Sequence, residues 1–145
     1  MIPIVERVLF LKSIELFEDI PGELLVAVAR LAEEQSFDEG EVLIERGDEG
    51  DCLFLVVEGE ASVRLAEREV ARAGRGECIG EMSLLDAEPR SATVVACGAV
   101  RTLRVDQEPF FELLTEHTEL TRGLIAMLSR RLRTMLREHT RRTIV

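Results

Sequence analysis

Between Ile79 and Val94 the chain interrupts an apolar, strand-like region with Gly80, Glu81, the stretch Met82 to Leu85, the polar run Asp86-Ala87-Glu88-Pro89, and then Arg90-Ser91. Residues of these types in this order suit a sugar phosphate. Gly80 lets a ligand or another segment approach the backbone closely. Met82 to Leu85 can form one helical turn, whose free N–H groups and positive dipole end attract an anion. Arg90 follows Pro89, whose fixed φ stiffens the return path, so its guanidinium can meet that anion with two parallel hydrogen bonds. Lysine has no such fork. Glu81 is out of place beside an anion unless its partner is a hydroxyl donor, because a carboxylate only accepts hydrogen bonds; a sugar hydroxyl fits. Taken singly, Glu81 also reads as a first-turn helix acid and Arg90 as a surface residue, so it is their joint order that carries the reading.

Other chemistries have little to work with. A metalloenzyme of the cupin type needs two or three histidines and a carboxylate on neighbouring strands. The chain has 2 histidines, His117 and His139, both in the helical tail. No metal is expected. No Ser or Cys has a histidine placed for nucleophilic catalysis, so an enzyme is not expected either. Cys52, Cys78 and Cys97 are odd in number and widely spaced, without a Cys-x-x-Cys pair, and read as buried free thiols.

The net charge of −10 opposes nonspecific nucleic-acid binding, which needs a concentrated basic surface. From Arg122 onward, however, Glu138 is the one acid among many arginines. That basic end suits an acidic partner, a lipid surface or nucleic acid, or is simply a solvated helix face. No apolar run approaches the ~20 residues of a membrane span, and Met1 to Phe10 lacks the order of a secretory signal. The expectation is a cytoplasmic chain with no direct membrane insertion and no nucleic-acid partner.

The elements that must position the Ile79–Val94 stretch follow from periodicity. Leu9, Leu11, Ile14, Leu16 and Phe17, then Pro21-Gly22, then Leu24, Leu25, Val28 and Leu31 predict two helical pieces around a turn. After Phe37 short Val, Ile and Leu segments alternate with Gly, Asp and Glu: Val42 to Glu45, Leu53 to Val57, Ala61 to Leu65, Glu69 to Ala73, Ser91 to Ala96 and Val100 to Val105. Many short strands at this spacing predict a small barrel or jelly roll. From Asp106, a plausible N-cap, the helical period returns with Pro109 in the first turn and Phe110, Phe111, Leu113 and Leu114 on the buried side. A last helix starts near Glu119, and Ile125, Leu128, Leu132, Met135 and His139 fall at heptad spacing. This seam packs either on its own domain or on a second copy. The division is residues 1–36 as N-terminal helices, 37–105 as β barrel and 106–145 as closing helices, in a single domain 1–145.

The stretch 79–94 resembles the phosphate-binding cassette of the cyclic nucleotide-binding domain family, of the catabolite activator protein and protein kinase A regulatory subunit type. The likeness extends over nearly the whole chain, through the Gly47-Asp48-Glu49-Gly50-Asp51 turn, the Glu58-Gly59 turn, the Gly76-Glu77 entry and two closing helices. The fold it implies is mainly β with flanking helices: a jelly-roll (double-stranded β-helix) barrel behind an N-terminal helical motif, here as a standalone bacterial-type domain. It further implies that Glu81 holds the ribose 2′-hydroxyl and Arg90 the cyclic phosphate, with Gly80, Met82, Ser83 and Ser91 completing the phosphate pocket. Val63, Val70 and Ala71 would then surround the base, and Arg131, Leu132 or Met135 would cap it. Ser91 stands where many cAMP-binding modules have Ala and cGMP-selective ones often have Thr; cAMP is expected ahead of cGMP.

The function these features imply is a regulatory module. Ligand would draw the cassette inward, the helix carrying Phe110 and Phe111 would follow, and the final helix would close as a lid. Expected partners are the nucleotide, a second copy through the C-terminal helix, and an effector domain or protein outside this chain. The alternative is an interaction module of the same fold that binds no nucleotide in the cell.

Overall fold

A computed structural model of the chain describes residues 1–86 and 88–144, the side chains of residues 82–84 and 140–144 excepted. The order is α1 (Ile4–Lys12), a 3-10 turn (Glu15–Phe17), α2 (Gly22–Leu31), β1 (Glu33–Phe37), β2 (Val42–Ile44), β3 (Cys52–Glu58), β4 (Ala61–Leu65), β5 (Arg68–Ala73) and β6 (Cys78–Ile79). There follow α3 (Glu81–Asp86), β7 (Thr93–Ala96), β8 (Val100–Asp106), α4 (Gln107–Glu116) and α5 (Thr118–Ile144). The strands form two antiparallel four-stranded sheets, β1-β8-β3-β6 and β2-β7-β4-β5. This is the β barrel with flanking helices that the resemblance implies.

The β3 sequence explains how barrel and helices join. Its residues are apolar on both faces, as a strand covered on both sides requires. Cys52, Phe54 and Val56 point into the barrel with Phe37, Ile44, Ile79, Val94 and Val100. Leu53 and Leu55 point outward, onto Phe17, Leu25, Val28, Phe110, Leu120, Leu124 and Met127. One strand thus belongs to two cores, and the sheet that walls the barrel is also the floor under the helices.

Two strands differ from the sequence reading. The β region begins at Glu33, before Phe37, because β1 is a polar edge strand whose five residues pair with β8 while only Phe37 is buried. β6 is a two-residue edge strand on β3, too short to leave a periodic signal. Asp106 does occupy the N-cap of α4, but its side chain makes no cap bond. Its carboxylate instead accepts from Arg104 Nε at 2.7 Å.

The last helix turns a different face to the body than its heptad seam suggests. Leu120, Leu124 and Met127 are buried, whereas Ile125, Leu132, Met135 and Leu136 are more than half exposed. Gly123 sits tight against Ile20, where an added Cβ would meet the Ile20 Cδ1 atom. Residues 132–139 are exposed throughout, so the second half of α5 leaves the body with an apolar stripe uncovered. Among the described residues no helix is long and apolar enough to cross a membrane.

Candidate functional site

A cavity of about 350 Å³ lies between the β4-β5 hairpin and the segment that runs from β6 through α3 to β7. Pockets of ligand size begin at about this volume. Its floor and walls include Gly80, Glu81, Arg90, Ser91, Val63 and Ala71, six of the residues singled out from sequence, together with Ile44, Arg72, Glu77, Cys78, Ala92 and Val94.

Arg90 is held by its backbone before its side chain is considered. Arg90 N donates to Asp48 O at 2.8 Å and Gly47 N donates to Arg90 O at 2.9 Å, with a bridge between Glu49 and Pro89 alongside. The turn at Gly47-Asp48 therefore clamps the return path, and the Arg90 side chain enters the barrel wall only 6% exposed. There Nη2 donates to Cys52 O at 2.6 Å and Nη1 to Gly80 O at 3.2 Å. Among the described residues no carboxylate lies within ion-pair distance of it. Nη2 also lies 3.5 Å from Cys52 Sγ; a buried guanidinium satisfied by neutral groups carries uncompensated charge, and an anion in the cavity would supply the missing partner.

Gly80 is required twice over. Its φ of +85° lies in the left-handed region, and a Cβ there would collide with Arg90 Nη1 and press on Ile44 Cδ1 at 3.2 Å. The guanidinium lies against the glycine face. Glu81 opens α3 directly after it, its side chain 18% exposed. Glu81 Oε1 accepts from Arg131 Nη1 at 2.5 Å, and the same residue lines the cavity wall. The Arg131 guanidinium is held more firmly charged by that carboxylate. Burial, with Glu81 beside it, pushes the Cys78 thiol far above the ordinary range, and burial likewise raises Cys52. Both stay protonated and act as packing groups.

Other residues named from sequence fall elsewhere. Met82 and Ser83 belong to α3, but their side chains lie outside the described residues. Val70 does not line the cavity. Val63 pairs with Ala71 and Arg64 with Glu69, so Val70 is the extra residue of a bulge and is 50% exposed. Leu132 and Met135 are exposed on α5, away from the cavity. The face that meets the body runs Leu120, Leu124, Met127, Arg131, at spacings of four, three and four, so Arg131 reaches the site and its neighbours do not. Arg131 also lines an adjoining cavity of about 210 Å³ with Glu15, Cys78 and Glu81. Sequence reasoning missed Glu15, which accepts from Arg131 Nε at 3.1 Å, and the Cys52 carbonyl; neither carries a sequence signal for this site.

A larger cavity, about 680 Å³, lies between α1 and the outer face of the first sheet. Its Arg101 is already paired with Glu34 at 2.9 Å and Glu58 at 3.3 Å. The 350 Å³ cavity is the candidate site because its wall holds both Arg90, buried and without an ion-pair partner among the described residues, and the Glu81 carboxylate.

Comparison with known proteins agrees with this geometry. Residues 34–117 match the sequence profile of the family described as the cyclic nucleotide-binding domain. A cAMP-dependent protein kinase regulatory subunit of Mycosarcoma maydis is 33% identical over 114 residues, which cover 72% of this chain and 22% of that protein. The chain thus spans about a fifth of that relative's length. The N-terminal domain of a transcriptional regulator from Streptomyces coelicolor A3(2) superposes with a TM-score of 0.83 at 29% identity, covering 90% of this chain and 94% of the other. The catabolite activator protein of Thermus thermophilus gives a TM-score of 0.72 at 30% identity, over 89% and 63%. The profile match spans more than half of the sequence, and the chain belongs to the cyclic nucleotide-binding domain family.

Proposed function

We propose that this chain is a sensor that binds a 3′,5′-cyclic nucleotide, cAMP in preference to cGMP, and relays occupancy through its C-terminal helices. The carrying observation is Arg90, a buried cation without a counter-ion at the wall of the 350 Å³ cavity. A cyclic phosphate brings one negative charge and two oxygens to that point, which suits a guanidinium fork. Glu81 Oε2 takes the ribose 2′-hydroxyl. Gly80 and Ser91 border the phosphate, with α3 contributing backbone at Met82 and Ser83. Val63, Ala71 and Val94 line the apolar end where the base rests. The preference for cAMP is supported by the likeness to a cAMP-dependent protein kinase regulatory subunit, while the Ser91 hydroxyl at the cavity wall is compatible with either base.

The relay reading is supported by two connections of α3. Glu81 is paired with Arg131 of α5. Leu85 packs against the cluster that holds Phe110 of α4 and Leu120, Leu124 and Met127 of α5. A ligand that pulls on α3 therefore pulls on both closing helices, provided it binds their two arrangements with different affinity. The uncovered stripe Ile125, Leu132, Met135 and Leu136 supports a second copy as the neighbour of α5. The effector lies in another chain or domain.

The sugar half of this reading has its own test. Glu81→Ala is expected to weaken 3′,5′-cyclic AMP binding by about 1–3 kcal/mol, the loss of a hydrogen bond to a charged group. Binding of the 2′-deoxy analogue, which lacks the donor, should scarcely change. Equal losses for both ligands in a calorimetric titration would contradict the role.

A further inference from the structure

We propose that Glu15, in the 3-10 turn between α1 and α2, is a positioning residue for the sugar-binding carboxylate, acting through Arg131. The proposal deepens the reading of Glu81 as ribose acceptor and rests on it. Arg131 donates from two edges of one planar group: Nε to Glu15 at 3.1 Å and Nη1 to Glu81 Oε1 at 2.5 Å. A guanidinium is flat and its donors are fixed relative to one another, so holding Nε sets the direction in which Nη1 points. Without Glu15 the long Arg131 side chain has many rotamers, and Glu81 has a mobile partner in place of a fixed one. With it, Oε1 is turned to Arg131 and Oε2 is left for the hydroxyl.

Glu15 can do this because its own segment is a seat for α5. Arg130, next in line, pairs with Asp19 at 2.7 Å and Glu18 at 3.5 Å, and Gly123 lies tight on Ile20. The segment 15–20 therefore meets α5 at two basic residues and one close backbone approach, which keeps Glu15 in register with Arg131. A chain of contacts runs from the N-terminal turn through the last helix to the ligand site, joining residues 116 and 50 positions apart in sequence. The competing account is an ordinary surface ion pair, since the Glu15 side chain is 54% exposed.

The two accounts separate on ribose discrimination. Titrations of 3′,5′-cyclic AMP and its 2′-deoxy analogue would be run on the wild-type chain, Glu15→Ala, Glu15→Gln, Arg131→Met, and Glu15→Ala combined with Arg131→Met. Glu15→Ala is expected to weaken the ribose ligand by about fivefold and leave the deoxy ligand unchanged, with Glu15→Gln intermediate because it keeps an acceptor oxygen. In the Arg131→Met background Glu15→Ala should have no further effect. Equal changes for the two ligands, or none, with wild-type binding intact, would overturn the positioning role alone and leave the site reading standing. Absence of binding by the wild-type chain removes the sugar-acceptor reading and this proposal with it.

Discussion

Arg90→Ala is expected to weaken binding of 3′,5′-cyclic AMP by about 2–5 kcal/mol, at least about thirtyfold in Kd, while the barrel stays folded. The size of the loss follows from where the charge sits. Arg90 is 6% exposed, its donors reach the Cys52 and Gly80 carbonyls and the Cys52 sulfur, and among the described residues no carboxylate pairs with it, so the ligand phosphate would be its ionic partner. Removing Arg90 takes away the phosphate's partner, and Arg72, the other arginine lining the cavity, is already paired with Glu60 and Glu69. Stability should change less than affinity, because removing a buried unpaired charge offsets part of the cost of depriving the Cys52 and Gly80 carbonyls of their donor. Arg90→Lys should fall between, because an ammonium keeps the charge and loses the fork. Calorimetry reports the affinity and a thermal melt the fold. A variant that keeps full affinity would show that the phosphate lies elsewhere.

Gly80→Ala is expected to damage both fold and site, by separable amounts. A side chain at φ +85° costs about 1–2 kcal/mol of backbone strain, which should lower Tm by a few degrees for a chain of this size. The added methyl also occupies the place of the Arg90 Nη1 atom. Arg90 cannot simply swing away, since Nη2 is tied to the Cys52 carbonyl at 2.6 Å and its backbone is clamped at Asp48. Affinity should therefore fall by tenfold or more, about 1.4 kcal/mol. Because that loss acts through Arg90, Gly80→Ala should cost no further affinity in the Arg90→Ala background, whereas the drop in Tm should persist. Additive affinity losses would mean that Gly80 contacts the ligand independently of the arginine.

The cassette could be read from sequence because its chemistry is local. Gly80, Glu81 and Arg90 lie within a dozen residues, broken out of a strand-rich region, and each residue type is hard to replace in its role. The barrel was legible for a related reason: Leu53 to Val57 is apolar at every position, which is what a strand shared by two cores needs. Polar edges hid β1, since Glu33, Glu34, Gln35 and Ser36 carry no apolar alternation and are held by pairing with β8. Val70 misled because a single bulge residue shifts the alternation of β5, and nothing in Glu69-Val70-Ala71 announces it. The face of α5 was undecidable locally. Leu120, Leu124 and Met127 share helical spacing with a second stripe, Ile125, Leu132 and Met135, and only packing against the Glu15–Ile20 segment selects between them. That selection is what brings Arg131 to Glu81 and leaves Leu132 and Met135 outside.

Charge tells a parallel story. In a chain of net charge −10, the wall of the candidate cavity holds two arginines, Arg90 and Arg72, the second paired with Glu60 and Glu69, while Arg131, in the adjoining cavity, pairs with Glu15 and Glu81. Net charge alone therefore says nothing about the sign of the site.

The most direct measurement is a calorimetric titration of the purified chain with 3′,5′-cyclic AMP, 3′,5′-cyclic GMP and 5′-AMP at one fixed salt concentration. Saturable binding of 3′,5′-cyclic AMP, weaker binding of the cyclic GMP, and little response to 5′-AMP are expected, because on the proposed reading Arg90 meets a ring-closed phosphate and Glu81 the adjacent hydroxyl. No heat from any of the three, together with no thermal stabilisation at millimolar ligand, would contradict the sensor reading and leave a cyclic nucleotide-binding fold that serves as an interaction module.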